Sequence, residues 1–283
     1  MKDPRVIKIE FLSEMEQTPP NGLAPWEYEK KLGVSRQFVI DMIFDLFRDR
    51  CLEGTSSVMP PGHYQHKDST DSAYWGRGQR EQNMEKLLKY DAFAAYINHR
   101  GRLRLWRLRD EVQKARTKEK FGILWDRRHW DADVAIQLAM RPKNGLSAVL
   151  FMDLDNFKPV NDRLGHDVGD DVLKTFFQSV AKLASVDGGE GYGWGGDEVV
   201  VLLPDTNQDR AAAIENAIRT VVAEECSAHP TLAAAKLPIS VSIGTYVFAE
   251  HKSPSEIVKA ADDLMYADKA KGKQERAKEG ATP

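Results

Sequence analysis

The chain has 283 residues, 42% of them hydrophobic and 29% charged, and carries a formal net charge of -3 at pH 7. That length supplies two ordinary domains with a core each, while the near balance of charge excludes the polycation field of a non-specific nucleic-acid binder. No segment approaches the roughly 20 apolar residues that cross a bilayer, and Met1 to Gln17 lack the unbroken apolar run of a signal peptide, so a cytoplasmic location without a membrane partner is expected.

In chain order, Trp26 to Leu32 form a short apolar-periodic stretch that Gly33-Val34 interrupts. Ser35 can then N-cap a helix from Arg36 to about Arg50, whose Phe38, Val39, Met42, Ile43, Leu46 and Phe47 make one buried face. Residues 53–82 show no periodicity and read as a long loop or insertion. Met84 to Ile97 resume a helical pattern. Arg102 to Leu108 alternate in the manner of a strand beyond the Arg100-Gly101 turn, the wing of a mainly helical, winged-helix-like module. Arg109 to about Lys120 read as a charged linker helix.

The second half is α/β. Ala148 to Met152 form a buried strand ending at Asp153, and a helix follows from about Gly169 to Ala184. Tyr192 to Trp194 and Val199 to Leu203 read as two strands joined by the turn Gly195-Gly196-Asp197-Glu198. Ile239 to Gly244 are a further strand, and Ser255 to Lys271 a last amphipathic helix. Cys51 and Cys226 fall in different halves, so a disulfide framework is not expected.

Carboxylates gathered at strand ends suit a hard cation. Mg²⁺, which keeps waters and completes its shell with phosphates, points to nucleotide chemistry at Asp153, Asp197 and Glu198. Lys158 after the Phe157 bend, and Lys269 with Lys273 one turn apart, can place positive charge on a triphosphate. The same two C-terminal lysines would also suit a helix macrodipole.

Four ordered motifs carry a family resemblance: Leu124 to Trp130, Phe151 to Asp162, Gly165 to Asp170, and Gly195-Gly196-Asp197-Glu198-Val199. The stretch from about Leu124 to about Gln274, roughly half the chain, resembles the GGDEF family of diguanylate cyclases. The resemblance implies an α+β palm-like fold, a nucleotidyl cyclase-like central sheet wrapped by helices. It implies two GTP condensed into cyclic di-GMP, with Mg²⁺ or Mn²⁺ held by Asp153, Asp197, Glu198 and the carbonyl of Leu154. Glu198 either ligates metal or helps deprotonate the ribose 3'-hydroxyl. Asn161 and Asp170 would read guanine, Lys158, Lys269 and Lys273 would hold phosphates, and Asn156 and Phe157 would offer backbone amides. Each domain holds one GTP, so a homodimer is implied.

Departures from the family pattern are specific. Val199 stands for Phe, Gly193 for a common Arg, Gly122-Ile123 for Thr-Gly, and Gly272-Lys273-Gln274 for Gly-Arg-Asn. Val186-Asp187-Gly188-Gly189 replace an Arg-x-x-Asp product-inhibition site, so no such site is expected. His166 reads as structural, and His63 and His66 as solvated. The expected layout is a winged-helix-like module over 1–108, a linker helix over 109–120, the catalytic domain over 121–276 and a disordered tail over 277–283. The first module is expected to set dimer geometry. DNA binding through Ser35-Arg36-Gln37 and Arg100, Arg102, Arg104, Arg107 and Arg109 is the less favoured reading. The competing function is a DNA-binding regulator whose inactive domain only senses nucleotide.

Overall fold

The computed structural model describes residues 3–17, 22–23, 25–55, 93–97, 99–140, 145–249 and 253–279. Two compact units result, Met1–Ala115 and Arg116–Pro283. Their boundary falls inside the stretch expected as a linker helix.

The first unit runs α1 (Pro4–Gln17), β1 (Gly22–Leu23), α2 (Pro25–Leu32), α3 (Arg36–Arg48), β2 (Leu52–Thr55), β3 (Phe93–Ile97) and α4 (His99–Lys114). Its sheet is antiparallel in the order β1-β3-β2. Ser35 caps α3 by accepting the Phe38 amide at 3.3 Å, and Val39, Met42, Ile43 and Leu46 are buried as the periodicity requires. The α1 helix escaped the sequence reading, yet its Ile7, Ile9, Phe11 and Leu12 are fully buried, and Phe11 meets Tyr28 edge-on at 4.9 Å.

Three expectations here are corrected. Arg102 to Leu108 form part of α4 and not a strand. The alternation of Arg and Leu hid a second spacing: Gly101, Leu105, Leu108 and Val112 recur every three or four residues and are buried, which leaves Leu103 and Trp106 exposed. The strand lies instead at Phe93–Ile97, inside the stretch expected to be helical. The linker helix ends at Lys114, well short of Lys120. Residues 56–82, with His63 and His66, and residues 84–92 lie outside the described residues. Of the five arginines proposed for DNA, Arg109 donates to Ser13 at 2.8 Å and Arg102 lies 3.5 Å from Glu16, so both are engaged with α1.

The second unit is a five-stranded sheet in the order β4-β6-β7-β5-β8. Its strands are β4 (Trp125–Asp126), β5 (Ser147–Asp155), β6 (Glu190–Gly195), β7 (Glu198–Leu203) and β8 (Ser240–Phe248). All pairings are antiparallel except β4 with β6. Its helices are α5 (Trp130–Met140), α6 (Phe157–Leu164), α7 (His166–Val186), α8 (Gln208–Ser227), α9 (Pro230–Ala235) and α10 (Pro254–Glu279). The last helix thus continues through 277–279, where a tail was expected; residues 280–283 lie outside the described residues.

Because strand side chains alternate between faces, β5 and β7 divide their apolar residues between two cores. Ala148, Leu150, Met152, Leu154, Val199, Val201 and Leu203 pack with α7 and α8 residues such as Phe176 and Ile218. Val149, Phe151, Val200 and Leu202 pack with Trp130 of α5 and with Ile257, Ala261 and Met265 of α10. Burying Val199 in the first core is compatible with its replacing Phe, because the change touches packing and not the turn.

Sheet and helix approach closely at Gly244 of β8, where a Cβ would lie 2.1 Å from both Ala261 O and Met265 N. Helix α10 therefore rests on the β8 backbone itself. The free edge of β8 is sealed by side chains: Arg219 donates to Val241 O at 2.9 Å and pairs with Asp268 at 2.9 Å, and Asp268 accepts the Ile243 amide at 3.0 Å.

A second polar knot fixes β6. The buried Arg116 guanidinium is bidentate to Glu190, both bonds 2.9 Å, and stacks 3.7 Å over Trp125. Asp133 lies 3.2 Å from Arg116 and accepts the Tyr192 hydroxyl at 3.0 Å. Burial pushes the Asp133 carboxyl up to about 6; Arg116 and the Tyr192 hydrogen bond act against that, and Glu190 adds to it. One guanidinium serves two acids, and Glu190 holds it bidentate.

Two predictions follow from these contacts. Gly244→Val forces α10 off β8 and lowers stability by about 3 kcal/mol or more, read as a fall in the urea midpoint. For Asp133, a folded-state value above the unfolded one gives stability that is complete below about pH 4 and lost as pH rises through about 6. Relative to Asp133→Asn, the native chain should therefore lose about 3 kcal/mol between pH 4 and pH 7 in paired urea titrations.

Candidate active site

The register of the sheet assembles the acids. Asp153 on β5 stands directly opposite Glu198 on β7 and opposite Ser242 on β8. Asp153 follows Val149 and Phe151 on the face toward α10, and Glu198 precedes Val200 and Leu202 on the same face. The apolar stripe under α10 thus ends in two carboxylates. Asp197 occupies the turn beside them, where Gly196 takes φ +58° and Gly195 precedes β7. The strand does not end at Asp153, as the sequence suggested, but continues to Asp155.

Lys269 of α10 enters this group, its Nζ 2.5 Å from Asp153 Oδ1. The approach at Gly244 makes that reach feasible, since Lys269 follows Met265 by one turn. The sequence assigned Lys269 to a phosphate; the structure places it on the acid whose charge it balances. Lys273 stands exposed one turn further on, and Lys158 is exposed in the first turn of α6.

The electrostatics are those of a crowded anionic cluster. The Asp197 carboxyl is raised above its ordinary value by burial and then by Asp153, with its own backbone amide and Lys269 opposing. Glu198 is raised by burial, then by Asp153, Asp197 and Asp262, with Lys269 again opposing. Among the described residues no three acidic, histidine or cysteine side chains converge into a ready-made cation cage. The donors nevertheless suit Mg²⁺: they are hard oxygens in a negative field, and this ion takes one or two carboxylates and fills its shell with water and phosphate. The Leu154 side chain is buried in the opposite core, so only its backbone can contribute.

A second group forms beyond the strand. Asn156 turns the chain from β5 into α6 with φ 63°, a left-handed value that Asn tolerates, and its Nδ2 lies 3.4 Å from Pro238 O. Phe157 is buried, and Asn161, one turn on, lies against α7 so closely that a Cβ at Gly169 would sit 1.9 Å from its Oδ1. Gly169 therefore lets Asn161 pack against α7 at the residue that precedes Asp170. That carboxylate accepts a bond from Lys120 Nζ at 2.8 Å.

The sequence reading missed two residues here. Asp155 is buried and accepts the hydroxyls of Ser240 at 2.8 Å and Ser242 at 2.9 Å, tying β8 to β5 at the site. Its signal was the alternation of serines in Ile239 to Ile243. Lys120 had no signal, being 50 residues from Asp170 in sequence.

Comparison with known proteins follows this geometry. A family model described as the diguanylate cyclase GGDEF domain matches residues 120–275. The probable diguanylate cyclase DgcT of Escherichia coli K12 is 34% identical over 158 residues, covering 53% of this chain and 33% of that protein. The response regulator PleD of Caulobacter vibrioides NA1000 is 37% identical over 131 residues, covering 44% of this chain and 28% of its own. The chain thus spans about a third of the length of these curated relatives. The GGDEF domain of DgcB from Caulobacter crescentus, solved in complex with c-di-GMP, matches with a TM-score of 0.51 at 23% identity, covering 55% of this chain and 91% of that one. That likeness shows the fold of the second unit, an α+β, palm-like sheet wrapped by helices.

Replacing Asp155 with Ala removes the acceptor of two buried hydroxyls and should lower stability by about 2 kcal/mol in urea unfolding.

Proposed function

Because the chain belongs to the diguanylate cyclase GGDEF domain family, we propose that it condenses two GTP molecules into cyclic di-GMP and two pyrophosphates. The observation that carries this reading is the pairing of Asp153 with Glu198 across adjacent strands, with Asp197 on the adjoining turn. Each ribose 3'-hydroxyl attacks the α-phosphate of the other GTP, so two domains face each other and a homodimer is required.

The residues of this chain then divide the work. Asp170 accepts the two donors of the guanine edge while Asn161 pairs with its acceptor; adenine would leave the carboxylate unmatched. The backbone amides of Asn156 and Phe157, with Lys158 and Lys273, hold phosphate oxygens, and Lys269 moves to them from Asp153 as nucleotide enters. Glu198 is placed to take the proton of the 3'-hydroxyl. Asp153, Asp197, Glu198 and the Leu154 carbonyl would hold Mg²⁺ or Mn²⁺, which when bound would supply Lewis-acid charge at the reacting phosphate. No feedback site of the Arg-x-x-Asp kind is proposed, since Val186 stands in the Arg position and Asp187 is engaged with Arg210.

We read the first unit as winged-helix-like, on its element order and its β1-β3-β2 sheet. It sets the geometry of the homodimer; its engaged arginines favour docking over DNA. A GTP-consuming enzyme works where GTP is held, and the cytoplasm is the location proposed. No helix among the described residues is long and apolar enough to cross a membrane.

Incubation with Mg²⁺ and GTP or ATP, followed by chromatography, tests the reading: cyclic di-GMP should form from GTP alone. Asp197→Ala should reduce turnover by about a thousandfold or more with an unchanged circular dichroism spectrum. A folded dimer that binds GTP but yields no cyclic dinucleotide would transfer the case to the nucleotide-sensing regulator.

A further inference from the structure

Lys120 lies in the segment that precedes β4, and that segment is held stiffly. The Glu119 carboxylate accepts the backbone amides of Phe121 at 2.6 Å, Ile123 at 2.8 Å and Leu124 at 3.1 Å. Gly122 turns the chain with φ +72° and donates to Glu119 O at 2.9 Å. Phe121 then packs edge-on against Phe177 of α7 at 5.8 Å, two turns along the helix from Asp170. With its neighbours so fixed, Lys120 projects over the start of α7. Its Nζ lies 2.8 Å from Asp170 Oδ1 and 4.3 Å above the Phe121 ring.

The pair is exposed, Lys120 at 61% and Asp170 at 45%, so as a surface ion pair it would add little to stability. Its chemistry matters more at a base pocket. A carboxylate that reads the two adjacent donors of guanine needs nothing further on that side, but the next atom on the guanine edge is a carbonyl acceptor. In adenine the same position is an amino donor. An ammonium beside the carboxylate favours the first and repels the second.

We infer that Lys120 is a specificity residue of the nucleobase pocket, donating to the guanine carbonyl beside Asp170 and thereby selecting guanine over adenine. This rests on the assignment of Asn161 and Asp170 as the base-reading pair. Lys120 swings from the Asp170 oxygen toward the incoming base, and the Phe121 ring below it restricts where the ammonium can go. Lys174, which lies 5.7 Å from the same ring and pairs with Asp171 at 2.9 Å, adds positive charge without reaching Asp170.

The test is calorimetric binding of GTP, ITP and ATP to the full chain with Ca²⁺ in place of Mg²⁺, so that no turnover intervenes. ITP keeps the carbonyl and lacks the exocyclic amine. Lys120→Met should weaken GTP and ITP by the same factor, roughly tenfold, and leave ATP binding as tight or tighter, whereas Lys120→Arg should keep most of the GTP affinity. Unchanged or tighter GTP binding by Lys120→Met, with an unaltered melting temperature, overturns the role of Lys120 while leaving the cyclase reading intact. Native GTP affinity in Asp170→Asn removes the base pocket from this place, and the base-reading assignment and the role of Lys120 fall together.

Discussion

Helix α10 rests on β8 with no side chain between them, and the geometry of the site depends on that contact. At Gly244 the two backbones approach so closely that even a methyl group would strike Ala261 O and Met265 N. One turn later the same helix delivers Lys269 to Asp153. The neighbouring Asp268 turns the other way and, with Arg219, covers the open edge of β8. A single seat on the sheet thus fixes both the charge balance of the acids and the protection of an edge strand that would otherwise offer unpaired backbone groups.

The site gathers like charge against the grain of stability. Asp197 and Glu198 are both raised by burial and by one another's neighbours, so each resists ionising where it stands. Such concentration of negative charge suits the binding of a divalent cation, and the rest of the domain compensates through conventional means. Two apolar cores sandwich the sheet, Asp155 laces β5 to β8, and Arg116 anchors the strand that leads into the signature turn. Local cost at the site and surplus elsewhere is the arrangement expected of a functional centre.

Much of the second unit was legible in the sequence because its signals were local. The glycine turn between two β-rich runs, the continuous apolar β5 and the amphipathic last helix each carry their period within a dozen residues. The first unit was less legible. In Arg102 to Leu108 the strand and helix periods coincide over seven residues, and only the longer set of Gly101, Leu105, Leu108 and Val112 separates them. The α1 helix is apolar on several sides and so shows no stripe. At the site, the motif residues were foreseen, but the placement of Lys269 on Asp153 and of Lys120 on Asp170 joins positions 116 and 50 residues apart. No spacing rule connects residues at those distances; only the packing of α10 and of the Phe121 segment does.

The departures from the family pattern gain a physical link from that same segment. Gly193 stands where Arg is common, and a Cβ there would lie 3.0 Å from Glu119 Cγ and 3.2 Å from its Cβ. A long side chain at 193 would press on Glu119, whose carboxylate organises the turn through Phe121, Ile123 and Leu124. Glycine at 193 therefore allows Glu119 to lie flat against β6, and the turn that results is what aims Lys120 at Asp170. The glycine at 193 and the placement of Lys120 on Asp170 are thus linked through one loop seated against one strand.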